Sequence, residues 1–234
     1  REVQNIVEWI INILAYSKRE DGLCFWYSPN LKKQVLNASA QATALIARYL
    51  YFSQKKDGLE RVLRESLKYI QNKQLSNYVW DYYNENEKPK NIIDFHNNYI
   101  IESNYYLKKY FNPMQIQEKK MIILPFISLS RNLLNRNGSL RKTSIQLSEA
   151  RLWAYGTFLY TGVNVIDSME NSQNRLRIKE YLLLLLSYIF SNLYLSKEGA
   201  FKYKSNDAET KYIRHTAHMF YGLAKLLNFR GFRE

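Results

Sequence analysis

Apolar positions in this chain recur with the 3.6-residue period of helices, and the helices alternate with polar, aromatic loops. Ile6, Trp9, Ile10, Ile13 and Leu14 fall on one face of a helix over about 2–16. Small residues, Ala38, Ala40, Ala42, Ala44 and Ala47, fill a second helix over about 38–53. A third starts near Asp57 and carries Leu59, Val62, Leu63, Leu67 and Ile70. The fourth is expected over about 94–111, with Asp94 as its cap. Asn112-Pro113 opens the fifth, and Pro125 inside its pattern predicts a kink or restart near Leu124. The sixth covers about 147–160 and stops before Gly162; the seventh covers about 172–194. The last covers about 214–227, with Met219, Phe220, Leu223, Ala224 and Leu227 facing the core. Gly22 and Pro29 mark a loop, Tyr78, Trp80 and Tyr82 alternate as a short strand would, and Phe201-Lys202-Tyr203 reads as half of a small hairpin.

Eight helices pair into four hairpins that repeat about every 55–60 residues. Each hairpin places a polar loop and a polar helix start at the same end. These are Phe25-Trp26-Tyr27 into Asn37-Ala38-Ser39, Trp80-Asp81-Tyr82-Tyr83 into Asp94-Phe95-His96, Gly138-Ser139-Leu140 into Glu149-Ala150-Arg151, and Gly199-Ala200-Phe201-Lys202-Tyr203 into Arg214-His215. Long loops at one end and short turns at the other suit an all-α α/α toroid, with the second, fourth, sixth and eighth helices inside. An open solenoid is the competing architecture. No composition shift divides residues 1–234, so one domain is expected. The chain opens at Arg1 within a helical pattern, which predicts that further N-terminal hairpins of the ring are missing.

Composition sharpens this picture in three places. The net charge of +13 favours an anionic partner: a polysaccharide, a membrane surface or nucleic acid. Spread basic pairs such as Lys32-Lys33 and Lys119-Lys120, without an RNA- or DNA-binding signature, argue against specific nucleic-acid recognition. Cys24 is the sole cysteine, so no intrachain disulfide forms, and it reads as a packing residue. The longest apolar run, 181–190, is too short to cross a bilayer and reads as a helix buried on most sides. A cytoplasmic protein, or one peripheral to the membrane, is expected. No Gly-rich phosphate loop or serine-hydrolase elbow is present.

Several of these segments also resemble a known family. Ile93-Asp94-Phe95-His96-Asn97-Asn98-Tyr99 after Trp80-Asp81-Tyr82-Tyr83 resembles the W-x-Y … D-N-F-H-x-x-Y segment of bacterial proteins associated with exopolysaccharide and capsule biosynthesis. Gly199-Ala200-Phe201-Lys202-Tyr203 with Tyr212-Ile213-Arg214-His215-Thr216-Ala217-His218-Met219 resembles their closing segment, and Leu36-Asn37-Ala38-Ser39-Ala40 their first inner-helix opening. His215 and His218 depart from the pattern, which carries Trp and Gln or Trp there. The resemblance implies a six-hairpin glycosidase-like toroid, similar to the helical domains of glucuronyl C5-epimerases and polysaccharide lyases.

An epimerase or lyase acting on a uronic acid needs a base for the C5 proton and a cation for the carboxylate. Tyr83, His96, Tyr203 and Glu149 are the catalytic candidates. Arg151 and Arg214 could grip the carboxylate, with Asp94 and His215 beside them and Trp26, Tyr27 and Trp80 as sugar-facing aromatics. A hydrolase would instead need two facing carboxylates, from Asp81, Asp94 and Glu149. His215 and His218, three apart, could with His96 and Asp94 or Asp207 hold zinc, but HxxH without Cys or HExxH is a weak signal, and no metal or cofactor is expected. The expected function is to act on or bind an anionic polysaccharide or oligosaccharide. The alternative is a non-catalytic helical scaffold that docks on another polysaccharide-biosynthesis protein, with an exposed stripe on the seventh helix.

Overall fold

The computed structural model describes residues 2–54, 58–81, 92–111, 117–169, 173–206 and 213–229. The chain divides into two compact units. The first holds residues Arg1–Ile92 and Tyr99–Pro125, the second Ile93–Asn98 and Phe126–Glu234.

In the first unit, α1 (Glu2–Trp9) runs into a π turn (Ile10–Leu14), followed by the antiparallel pair β1 (Tyr16–Arg19) and β2 (Gly22–Phe25). The expected loop at Gly22 is therefore the second strand of a hairpin. All four β2 residues are buried, Cys24 among them, because the strand packs on α3. Next come α2 (Leu36–Ser53), α3 (Leu59–Asn72) and α4 (Asn97–Tyr110), whose first two residues belong to the second unit. The alanine-rich face of α2 is buried as its sequence requires, and α3 buries Leu63, Leu67 and Ile70. The stripe of α1 and its π turn that packs inward is narrower than the apolar pattern of the sequence. Val7, Ile10 and Leu14 are buried, whereas Ile6, Trp9 and Ile13, expected inside, are exposed. Among the described residues, Trp80 forms an isolated bridge with Gln74 in place of the expected strand.

A π turn (Lys119–Ile123) leads into α5 (Leu124–Leu133), which starts where Pro125 predicts. Proline has no N–H to donate four residues back, and the wider turn absorbs the missing bond. The second unit continues with α6 (Leu152–Asp167), α7 (Gln173–Tyr188) with its π turn (Ile189–Leu193), the small pair β3 (Tyr194–Leu195) and β4 (Ala200–Phe201), and α8 (Ile213–Asn228). The α6 helix runs through Gly162 instead of stopping before it, because the missing side chain makes room for Leu182 of α7. On α8 the buried positions are His215, Met219, Gly222 and Leu226, so Phe220, Ala224 and Leu227 point outward against expectation. The apolar run on α7 is likewise not buried on most sides, since Leu183 and Phe190 are exposed.

Gly138 ends the turn after α5 with φ +88°, and a side chain there would collide with the Leu184 carbonyl of α7. The main chain then returns along itself, with Arg141 N–H on Leu133 O (2.8 Å) and Ala150 N–H on Leu140 O (2.7 Å). This return delivers Glu149 and Arg151 to the start of α6. No helix of the described residues is long and apolar enough to cross a membrane.

Candidate functional site

The start of α4 is pinned by a short bridge. Ser144 N–H donates to Ile93 O (2.7 Å), and Ile93 N–H donates to Ser144 Oγ (3.0 Å). Asp94, 4% exposed, follows. Its Oδ1 accepts the His96 N–H (3.0 Å), which secures the turn into the helix, and its Oδ2 lies 2.6 Å from His96 Nδ1. Asp94 thus does what a capping residue does and also holds an imidazole. A carboxylate on Nδ1 favours the ring proton there and makes Nε2 the acceptor nitrogen.

The imidazole of His96 faces Trp153, with centroids 6.4 Å apart and planes at 73°. Trp153 sits in the first turn of α6. Arg214 places its guanidinium carbon 4.1 Å from the indole centre, and His218 stacks on the indole at 4.9 Å and 22°. His215 approaches the indole edge-on at 5.8 Å and meets Tyr203 at 4.9 Å. Arg151 lies over the Tyr203 ring at 5.7 Å. The Tyr203 carbonyl accepts the Leu152 N–H (2.9 Å), so the loop after β4 closes the otherwise uncapped start of α6.

The second unit therefore gathers Asp94, His96, Arg151, Tyr203, Arg214 and His215, six of the residues singled out from sequence, around Trp153. Trp153 was missed. Its signal was a tryptophan in the first turn of a helix that opens on Arg151, the same position that other copies fill with polar side chains.

Burial, with Arg151, Arg214 and His218 nearby, holds the His215 imidazole below the ordinary histidine range. Burial and Arg214 do the same for His218. Both rings are then uncharged at neutral pH, and the positive charge of the site rests on the two arginines. The unfolded chain takes up these protons at higher pH than the folded one. Stability is therefore expected to fall as pH drops through about 6.5 towards the lowered values. Thermal melts at stepped pH check this, and an H215N/H218N variant should flatten the decline.

Glu149 is fully occupied as an acceptor. Oε1 takes the hydroxyls of Tyr155 (2.9 Å) and Tyr188 (3.0 Å); Oε2 takes Ser205 N–H (3.0 Å) and Ser205 Oγ–H (2.7 Å). Four donors use all its lone pairs, so it ties α6, α7 and the Ser205 loop together and has no capacity left for a catalytic proton. Burial, with the Glu149 charge adding to it, raises both tyrosine hydroxyls above their ordinary range, which keeps them protonated as donors.

Three aromatics expected at the site belong to the first unit. Trp80 is completely buried and donates Nε1–H to Ile70 O (2.9 Å), so it is core and offers no face to a sugar. A Trp80→Ala variant is expected to lose about 3–5 kcal/mol of stability in a denaturant titration. Trp26 is half-buried, and Tyr27 is exposed. Asp81 is buried and accepts Ile92 N–H (2.7 Å), as a loop tie does. Tyr83, Asp207 and Tyr212 lie outside the described residues. Among the described residues, no cluster of His, Cys, Asp and Glu is suited to a metal ion.

No protein-family model matches the chain, and no curated protein matches it. Solved structures do. A possible member of the GH105 family from Salmonella enterica serovar Paratyphi A superposes with a TM-score of 0.69 at 12% identity, over 97% of this chain and 65% of that one. An unsaturated glucuronyl hydrolase from Bacillus sp. GL1, responsible for glycosaminoglycan degradation, gives 0.68 at 10% identity, over 98% and 68%. A sugar epimerase from a ruminal bacterium gives 0.69 at 13% identity, over 97% and 67%. The fold class is the all-α α/α toroid. The chain spans about two thirds of the length of these neighbours, and down to 59% of another GH105 hydrolase, from C. acetobutylicum.

Proposed function

We propose that this protein acts on an acidic carbohydrate and abstracts the proton beside a uronic-acid carboxylate. The observation that carries the reading is the Asp94–His96 pair facing Trp153, with Arg214 on the same indole. Each part has a job in that chemistry. The indole, covered by Arg214 and His218, holds those two side chains beside His96. Arg151 and Arg214 offer forked donors to the carboxylate, and they stabilise the charge that grows on it as the neighbouring carbon loses its proton. His96 Nε2 is the base, oriented by Asp94 through Nδ1, and Tyr203 is the hydroxyl that returns a proton. An epimerase returns it to the opposite face of the sugar; a lyase expels the glycosidic oxygen instead. The neighbours named for a glucuronyl hydrolase and a sugar epimerase support a carbohydrate ligand.

Incubation with uronate oligosaccharides in D₂O, followed by NMR, is the direct test. Deuterium at C5, or an unsaturated uronate product, is the expected result. Cleavage to a saturated product without exchange would make the protein a hydrolase. Neither reaction nor binding would leave the second reading, a docking scaffold. That reading is favoured by one observation: Leu176 and Leu183 of α7 and Phe190 of its π turn recur every seven residues and are all at least half exposed.

A further inference from the structure

A second cluster, in the first unit, has no part in the chemistry above. The C-terminal turns of α2 and α4 bring together Tyr51, Phe52, Tyr106 and Tyr110. Tyr51 meets Phe52 at 5.1 Å and Tyr110 at 5.2 Å, Phe52 meets Tyr110 at 5.6 Å, and Tyr106 stacks on Tyr110 at 6.1 Å. Two cations flank the rings. The Arg48 guanidinium lies over Tyr106 (5.0 Å) and Tyr110 (5.9 Å), and Lys109 Nζ lies 5.7 Å from the centre of Tyr110. Tyr51 is 56% and Phe52 68% exposed. None of these six side chains is acidic.

The geometry separates the possible ligands. A pyranose stacks on a flat, open ring face. Here Tyr51 meets its neighbours edge-on, at 88° and 61°, Phe52 is tilted against Tyr110, and the cations lie over Tyr106 and Tyr110. The result is a knob rather than a platform. Its most exposed ring is the one without a hydroxyl, phenols stand beside it, and cations border them. This sequence of chemistries matches a bilayer interface, where apolar rings reach the acyl boundary, phenols sit at the ester level and cations meet lipid phosphates. The net charge of +13 adds long-range attraction of the same sign, and no helix of the described residues spans a bilayer.

We propose that the α2–α4 end of the first unit docks on an anionic lipid surface, with Tyr51 and Phe52 inserting and Arg48 and Lys109 binding head-group phosphates. The proposal is independent of the sugar reading. The test is sedimentation of the full chain with phosphatidylcholine vesicles, with and without one part in four of phosphatidylglycerol. Binding only to the anionic vesicles is expected. Tyr51→Ser/Phe52→Ser should weaken partition by about tenfold or more, and each of Arg48→Gln and Lys109→Gln by about fivefold. These side chains lie at the surface, so unchanged thermal melts establish that each variant is folded. No sedimentation overturns the proposal. Binding that ignores the two ring substitutions also overturns it, since net charge alone would then explain the effect. If the ring variant instead loses affinity for soluble polygalacturonate while vesicles never bind, the patch is a glycan site and the lipid proposal fails.

Discussion

In the deuterium-exchange assay, His96→Gln is expected to slow exchange by about 10²–10⁴-fold while leaving uronate binding within a few-fold of the parent. The ring of this residue faces Trp153, and its backbone amide remains tied to Asp94 after the change. Asp94→Asn should cost a comparable factor for a different reason. An amide can present its N–H₂ to Nδ1, which would move the ring proton to Nε2 and take away the base. The pair therefore makes a joint prediction: either single change removes most of the rate, and the double change removes little more. Arg214→Ala should instead weaken binding and rate together, because it meets the ligand both before and during proton transfer. Calorimetry with the same oligosaccharide separates the two patterns. Equal loss of binding in all three variants would mean that His96 is a ligand for the sugar and not a base.

The second large effect is on stability. A methyl group added at Gly156 of α6 would sit 2.5 Å from the His218 carbonyl oxygen, 2.6 Å from its carbon and 2.8 Å from the Met219 nitrogen. All three are backbone atoms of α8 and cannot rotate aside. From the other helix, a methyl at Gly222 would meet the Gly156 oxygen at 2.7 Å. The two helices thus touch backbone to backbone. Gly156→Ala would gain about 1 kcal/mol of helix propensity in isolation. The overlap should outweigh that gain, for a net loss of about 1–3 kcal/mol and a fall in Tm of several degrees. The same shift moves His218 away from Trp153, so ligand binding should drop although no ligand-facing side chain has changed. A melt at or above the parent Tm would contradict this helix crossing.

The helices were legible in the sequence where one cause dominates. The alanine row of α2 needs no partner to explain it, and Pro125 sets the start of α5 by chemistry that no packing can override. Burial of single aromatics was not legible. Trp80 and Trp153 are both tryptophans near polar loops, yet one is sealed against Ile70 and the other lies half-open between an arginine and histidines. Only three-dimensional neighbours separate them. Glu149 was found as an acidic residue at a helix start, but its role depends on Tyr188 and Ser205, 39 and 56 residues away. The outward faces of α1 and α8 were misassigned for a related reason. On α1 the apolar pattern is wider than the face that packs, and α8 spends its inward face on Gly222 to reach α6.

The π turns carry a consequence for how this chain tolerates change in length. A π turn is an α-helix that has accepted one extra residue, and each residue advances the helix by about 100°. The turns at Ile10–Leu14 and Ile189–Leu193 both stand directly before a two-stranded hairpin. Each therefore acts as an angular adjuster that sets the direction in which the hairpin leaves its helix. Loss of one residue from Ile189–Leu193 could restore an ordinary helix there, yet would swing β3, β4 and the Tyr203 loop out of register with α6. A single-residue deletion, harmless to the helix that suffers it, would be felt instead at the far end of the loop it aims.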